Sequence, residues 1–301
     1  MLSSQPVPQT IETTPRPSTI VHTSNPVRDW IERLLVYVAL LFFTALFMVP
    51  FIWLISNSLK TAEQAFDANW IPRPIMWSNY ARIFQEVPLL QMARNSVIVA
   101  VLGVLAVVIS SSMIAYGLAR LRFPGSGLVF SAVLATMMMP GAVTMVPVYL
   151  IWKQLNLVNT LYPLWLGNLF GSSFYIFMLR QFLLTLPQEI IDAGRVDGAS
   201  YYRIYWQLML PLIRPALLSV TIFEFQAKWN DFMGPLIYIQ NPDLRTLPLG
   251  LQIFVQHLGY GQFRWELLFA ASVLVTLPMV LLFAVAQKQF IEGIATTGIK
   301  G

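Results

Sequence analysis

Ionisable side chains are scarce in this sequence, and their positions limit the chemistry they could do. His22 and His257 are the only histidines, too far apart in sequence to make a metal cluster by themselves. Cysteine is absent, which removes disulfides, thiolate zinc sites and cysteine nucleophiles together. No G-x-x-x-x-G-K-[ST] run occurs, none of the five lysines follows a glycine, and H-E-x-x-H and G-x-S-x-G are missing. Neither a loop that cradles ATP phosphates nor a hydrolytic constellation is predicted, so no catalytic, cofactor-binding or metal-binding residue is assigned. Two places remain. Glu224, Lys228 and Asp231 fall in a largely apolar stretch. Glu224 and Lys228 share one helical face in the order that favours pairing, and read either as a mutually neutralising pair or as a direct substrate or proton site. The second place is LPQEIIDAGRVDGASYYRIYWQLMLPLIRP, Leu186 to Pro215, which gathers charges, glycines and prolines between apolar runs.

The elements that must position these residues are membrane spans. Of 301 residues, 56% are apolar and 11% charged, with a mean hydropathy of +0.64. Soluble domains carry about 25% charged residues, so an ordinary cytosolic enzyme is excluded. A bilayer core needs roughly 20 apolar residues in a helix, which satisfies its own backbone. Such runs extend from Leu34 to Ile55, Ser96 to Ala119, Leu128 to Trp152, Thr160 to Leu179 and Leu267 to Ala286. A weaker one, Pro215 to Ile239, carries the three charges named above; without it the termini would lie on opposite sides. Six spans are predicted. Pro140, Pro147 and Met137 to Met139 predict a bent third span. Gly167 and Gly171 in the fourth, and Ser110 to Ser112 in the second, are read as helix-packing positions, with pore lining as the alternative.

The first run is too long for the apolar part of a cleaved signal peptide, and no A-x-A-like site follows it. Residues 1–29, rich in Ser, Thr and Pro, are expected to be a disordered tail, followed by a permeation domain over 30–290 and a second tail over 291–301. With six spans, eleven Lys and Arg residues share the side of the termini against eight on the other. Both termini are therefore expected in the cytoplasm. The basic excess fits loop bias in a membrane protein and not nucleic-acid binding.

Residues 186–211 read locally as two short helices forming an interfacial elbow. Thr185 and Gln188 suggest a capping box, Pro187 sits in the first turn, and Glu189 and Asp192 complement the helix N-terminus. A second helix is expected from Tyr201 to Leu210, stopping at Pro211. The small run Ala193, Gly194, Gly198 and Ala199 strips one surface of side chains. This stretch resembles the E-A-A–x3–G–x9–I-x-L-P signature of the membrane subunits of binding-protein-dependent ABC importers. Asp192-Ala193-Gly194 occupies the E-A-A triplet, Gly198 the signature glycine, and Leu210-Pro211 the closing L-P. Aspartate replaces glutamate, and glycine replaces the second alanine.

Trp229-Asn230-Asp231-Phe232, Gly234-Pro235-Leu236, Leu247-Pro248-Leu249-Gly250 and the closing Glu292-Gly293 to Lys300-Gly301 are similar to the carbohydrate branch of that family. The likeness is to the second permease component of the maltose system and covers residues 30 to 301. It implies an all-α, six-span, non-enzymatic permease of a bacterial or archaeal inner membrane with a cytoplasmic coupling helix. The implied partners are a second permease, two ATP-binding cassette subunits that hold ATP and Mg, and an extracytoplasmic sugar-binding protein. It assigns contact with the ATPase subunit to Glu189, Asp192, Ala193, Gly194, Asp197, Gly198, Leu210 and Pro211. Pathway or binding-protein contact falls to Trp229, Asn230, Asp231 and Tyr260, the last in an outer loop from Gln240 to Phe263. Gly198 is expected either to let the partner approach bare backbone or to supply a turn with φ > 0. Rival readings are a permease for peptides or polyamines, or a secondary carrier, which would show an inverted repeat; none is seen.

Overall fold

A computed structural model of the chain describes residues 26–257 and 264–298, and all regular structure among them is helical. In chain order the α-helices are α1 Pro26–Ser58, α2 Ser78–Glu86, α3 Leu89–Arg120, α4 Ser126–Met137, α5 Gly141–Gln154, α6 Ser173–Thr185, α7 Glu189–Val196, α8 Tyr201–Ile204, α9 Leu210–Leu212, α10 Arg214–Trp229, α11 Met233–Tyr238, α12 Leu247–His257 and α13 Trp265–Gly298. The expected N-terminal tail lies mostly outside the described residues, though α1 begins at Pro26, and α13 runs to Gly298 through most of the expected C-terminal tail. Residues up to Ile52 and residues from Trp53 form two compact units. The first consists, where described, of α1 as far as Ile52; the second holds the end of α1 and all the packing discussed below.

Three segments are long and apolar enough to cross a bilayer alone: Trp30–Ser58, Leu89–Arg120 and Trp265–Gln287. Three bent pairs complete a count of six if each pair is one span. Ser126–Met137 and Gly141–Gln154 meet at 102°, Leu166–Thr185 and Glu189–Val196 at 79°, and Tyr201–Leu212 and Arg214–Trp229 at 78°. Each break has a local cause. Pro140 stands extended immediately before α5 and has no N–H to continue the ladder, so the expected bend in the third run is a full break. The Thr160–Leu179 run is not one helix either. Tyr162–Leu164 and Leu166–Phe170 are 3₁₀ turns, and Gly171 has φ +80° before α6 starts. Gly167 and Gly171 therefore do not form a helix-packing ridge. A β-carbon at Gly171 would lie 3.1 Å from both Ile114 and Ile176, so this glycine permits the break to press on α3. The elbow's second helix also passes the expected stop at Pro211. A wider π turn, Tyr205–Met209, precedes the proline and falls where an i→i−4 bond to it would be missing.

Helix α3 is the centre of the second unit and contacts α6, α10, α12 and the Leu166–Phe170 turn. Its Ser and Ala positions are small enough for close approach, as helix contacts in lipid require. At one end Leu179, Leu183, Ile191, Ile204, Met209 and Ile213 are almost fully buried and join α3 and α6 to the elbow. At the other end polar side chains clamp loops. Asn159 accepts from the backbone N–H groups of Gln240 (3.0 Å) and Asn241 (2.7 Å). Asn95 donates to the carbonyls of Asp243 (2.8 Å) and Arg245 (3.0 Å), while Ser96 accepts from Leu247 N–H (2.8 Å).

Asn95 is 1% exposed, so its removal takes the side-chain donor from the Arg245 carbonyl and leaves that of Asp243 to Gln91 alone (2.9 Å). Asn95→Ala is expected to lower stability by about 1–3 kcal/mol and to open the 240–247 loop to protease. Cleavage at the wild-type rate would show that this clamp contributes nothing.

Candidate functional site

The elbow is built on α7, whose faces have different tasks. Ile191 and Gly194 are buried, whereas Glu189, Asp192, Ala193, Val196 and Asp197 are exposed. A β-carbon at Gly194 would meet Ile204 at 3.1 Å and Leu208 at 3.2 Å. This glycine brings α7 down onto α8 and the π turn, so it serves the chain's own packing and not the outer surface. Gly198 is exposed with φ +76°, and a β-carbon there would have nothing within 4 Å. Within this chain its requirement is the left-handed backbone that turns α7 into α8. Leu210 is half-buried against the Leu179–Ile213 cluster, and Pro211 is exposed. The structure thus brings Glu189, Asp192, Ala193, Asp197 and Gly198 to one short surface and separates Gly194 and Leu210 from it.

The elbow is tied to α3 by side chains that lie outside its sequence signature. Arg120 donates to Gln188 Oε1 (3.0 Å), to the Leu186 carbonyl (2.6 Å) and to the Leu183 carbonyl. Tyr116 donates to the Tyr201 carbonyl (3.1 Å), and the hydroxyls of Ser112 and Tyr205 lie 2.7 Å apart. Arg195 stacks over Tyr201 and donates to the Ala199 carbonyl (3.2 Å), closing the turn around Gly198. The anticipated capping box does not form. Thr185 donates to the Phe182 carbonyl (2.8 Å), while Gln188 has helical φ/ψ and donates instead to Asp192 Oδ1 (3.3 Å). Asp192 is consequently oriented through Gln188 by Arg120.

Between the two ends lies a polar cluster inside the helices. Lys228 and Glu224 approach to 3.7 Å, as their spacing predicted. Asn168, in the broken segment, donates to Glu224 Oε1 (2.5 Å) and to the Gly103 carbonyl (3.0 Å), and its own carbonyl accepts from Ser110 (2.9 Å). Lys228 donates to the Leu164 carbonyl (2.7 Å). Gly103 leaves the room for this arrangement, since a β-carbon there would lie 3.1–3.3 Å from Lys228 and Asn168. The pair reading is the one the geometry carries. The signal for Asn168 was an amide isolated in an apolar run.

The proposed pathway residues have mixed settings. Trp229 is buried, stacked on Phe225, and donates to the Val275 carbonyl (3.0 Å). Asp231 accepts from Gly234 N–H (3.0 Å) and so starts α11. Asn230 is exposed, though its amide donates to the Gln226 carbonyl (2.9 Å). Tyr260, with Gly259, Gly261 and Phe263, lies outside the described residues. Among the described residues no group of three or more His, Cys, Asp or Glu could hold a metal.

A sequence profile of the family described as binding-protein-dependent transport system inner membrane component matches residues 108–295, which take in α4 to α12 and most of α13. The chain is 32% identical to the arabinooligosaccharides transport system permease protein AraQ of Halalkalibacterium halodurans, over 92% of this chain and 99% of that one. It is 30% identical to the diacetylchitobiose uptake system permease protein NgcG of Streptomyces coelicolor, over 83% of each. It is 29% identical to the lactose transport system permease protein LacG of Rhizobium radiobacter, over 81% and 88%. Its fold is that of a chain in the crystal structure of a bacterial ABC transporter involved in the import of alginate, an acidic polysaccharide, with a TM-score of 0.75 at 22% identity over 87% and 97%.

Gly103→Val should push Lys228 and Asn168 out of register and cost about 1–3 kcal/mol. In a double-mutant cycle, Glu224→Gln and Lys228→Gln should each destabilise, with a coupling of about 0.5–3 kcal/mol between them. Strict additivity in thermal unfolding of the purified protein would show that the two groups do not interact.

Proposed function

Because the chain belongs to the family of binding-protein-dependent transport system inner membrane components, we propose that it is the permease subunit of an ATP-driven importer of oligosaccharides. The observation that carries the substrate class is the run of sugar-transport permeases among relatives 29–32% identical to this chain over most of both lengths. A solved bacterial alginate ABC transporter in complex with an alginate pentasaccharide-bound periplasmic protein also matches in fold, with a TM-score of 0.51, which supports a binding protein as the delivering partner. The remaining partners are a second permease and two ATPase subunits, which hold ATP and Mg. The chain itself does no hydrolysis. Both termini and the elbow face the cytoplasm.

In this reading the elbow is the input. Glu189, Asp192, Ala193, Asp197 and Gly198 present acidic charge and thinly covered backbone to a cleft of the ATPase subunit. Pull on α7 is transmitted through Gln188 and Arg120 to the end of α3, and through Ile191 and Ile204 to the core. Closure of the ATPase pair would then bias an equilibrium between two arrangements of the spans, which uphill transport requires. Asn230, the exposed member of the Trp229–Asp231 run, is the proposed pathway contact in the described residues. The outer loop from Gln240 to Phe263, Tyr260 included, is the proposed binding-protein contact.

The purified chain should show no ATPase activity; measurable hydrolysis free of partner subunits would overturn the permease reading. Asp192→Glu should be mild. Asp192→Lys should abolish co-purification of the ATPase subunit and uptake at unchanged membrane abundance, because repulsion replaces attraction at the contact. Gly198→Ala carries a left-handed penalty of about 1–2 kcal/mol, and Gly198→Asn less, so abundance should follow that order. Gly198→Leu should lose assembly beyond its loss of abundance. Normal assembly and uptake in both Asp192→Lys and Gly198→Leu would remove the coupling role from this surface.

A further inference from the structure

Lys60 is a lysine 2% exposed, two residues beyond the end of α1. Among the described residues it forms no ion pair; its ammonium donates to the Asp67 carbonyl at 3.1 Å and has two further N–H groups to place. An ammonium is rarely buried without a partner. It lines a cavity of about 480 Å³ together with Gln64, Asp67, Asn69, Trp70 and Arg73. The walls are held before any ligand arrives. Gln64 donates to the Arg73 carbonyl (3.0 Å), Asn69 to Asp67 Oδ2 (2.9 Å), and Ser56 to the Trp70 carbonyl (2.5 Å). Buried Asn79 fixes the base of the loop through the carbonyls of Ser58 (3.0 Å) and Lys60 (2.8 Å). With Lys60 and Arg73 against Asp67, the lining carries a net charge of +1. The acidic residues Glu63 and Glu266 line a separate cavity, with Arg82 and Arg264.

Trp70 and Ile71 of the lining are apolar and uncovered, and Ile75 and Trp77 follow them in the chain. Trp70, Ile71, Ile75 and Trp77 are 52–69% exposed within eight residues of chain. Tryptophan is enriched where a membrane meets water, with its ring among the headgroups. Here a positively charged pocket and exposed aromatic anchors occur together next to the end of an apolar span, the depth at which lipid phosphates lie.

We propose that this cavity binds the headgroup of an anionic phospholipid, with the phosphate between Lys60 and Arg73, headgroup hydroxyls toward Asp67 and Asn69, and the acyl chains along Trp70 and Trp77. The site lies at the end of the helices opposite the elbow. It rests on the chain being a membrane protein and not on which solute it carries. A bound lipid would hold the α1–α2 loop against the bilayer surface.

The test is native mass spectrometry of the purified full chain titrated with phosphatidylglycerol or phosphatidylcholine, with uptake in the assembled transporter as a separate readout. Wild type should retain phosphatidylglycerol preferentially. Arg73→Gln, at an exposed position that should not disturb folding, should reduce that preference about fivefold, the share of one cation at a lipid surface. Lys60→Met should do the same if it folds, and Trp70→Ala should weaken both lipids alike. An unchanged preference in Arg73→Gln would overturn the proposal. So would displacement of the lipid by millimolar inorganic phosphate, which would mark a free-anion site, or by an oligosaccharide, which would mark a sugar subsite. Absence of sugar uptake by the wild-type transporter, with its lipid preference intact, would count against the sugar-import reading and not against this site.

Discussion

A backbone opened inside a membrane must find its hydrogen-bond partners within the protein, because lipid offers none. That constraint organises this chain. The fourth apolar run is broken into 3₁₀ turns between Tyr162 and Phe170, and backbone groups in and just after them are met by side chains from neighbouring helices. Lys228 takes the Leu164 carbonyl, Ser110 takes that of Asn168, and Ser111 accepts from Ser172 N–H. Glu224 neutralises Lys228 and accepts from Asn168. Each bond is worth only about 1 kcal/mol net, but an unmade one in a dry interior costs more. The charges in the weakest apolar run are therefore part of what allows its neighbour to be irregular. Gly103 and Gly171 belong to the same solution, since each leaves space where the broken segment presses on α3 or α10.

The elbow depends on this frame. Arg120 ends α3 where a cation suits the helix dipole and gathers the Leu183 and Leu186 carbonyls with Gln188, so the start of α7 is fixed to the helix that also meets α6, α10 and the broken segment. The buried face of α7 packs through Ile191 and Gly194, and its outer face carries Glu189, Asp192 and Asp197 beside exposed Ala193 and Val196. In the proposed assembly this makes α7 a handle with a stiff attachment, so a partner that displaces it must displace helix ends with it. Energy would enter as a difference in contact between two arrangements, and no residue of this chain need touch a nucleotide.

Much of this was legible in the sequence, for identifiable reasons. Apolar runs of about 20 residues have few other uses, so the helical class and six candidate crossings followed from composition. The Glu224–Lys228 pair followed from helical spacing, and the elbow from a cluster of glycines and charges. What sequence periodicity could not reveal were the breaks. Thr160–Leu179 is apolar enough for a straight span, and Gly167 and Gly171 have helix-packing spacing. Only tertiary partners, Asn168 with Lys228 and Glu224, make the irregular conformation affordable. The roles inside the elbow divided for the same reason. Gly194 and Gly198 look alike as letters, yet one faces Ile204 and the other turns the chain at φ +76°. Arg120 directly follows the apolar run that ends at Ala119, and its carbonyl contacts depend on residues more than 60 positions away. Likewise, Trp229 and Asp231 drew notice as pathway residues, but their described contacts are a carbonyl of α13 and the start of α11.

Uptake of a radiolabelled oligosaccharide into vesicles containing the assembled transporter tests the central claim most directly. With ATP inside and the binding protein outside, sugar should accumulate above its external concentration, and removing either one should reduce uptake to the level of empty vesicles. Accumulation that persists without ATP, or that follows an ion gradient instead, would contradict the account.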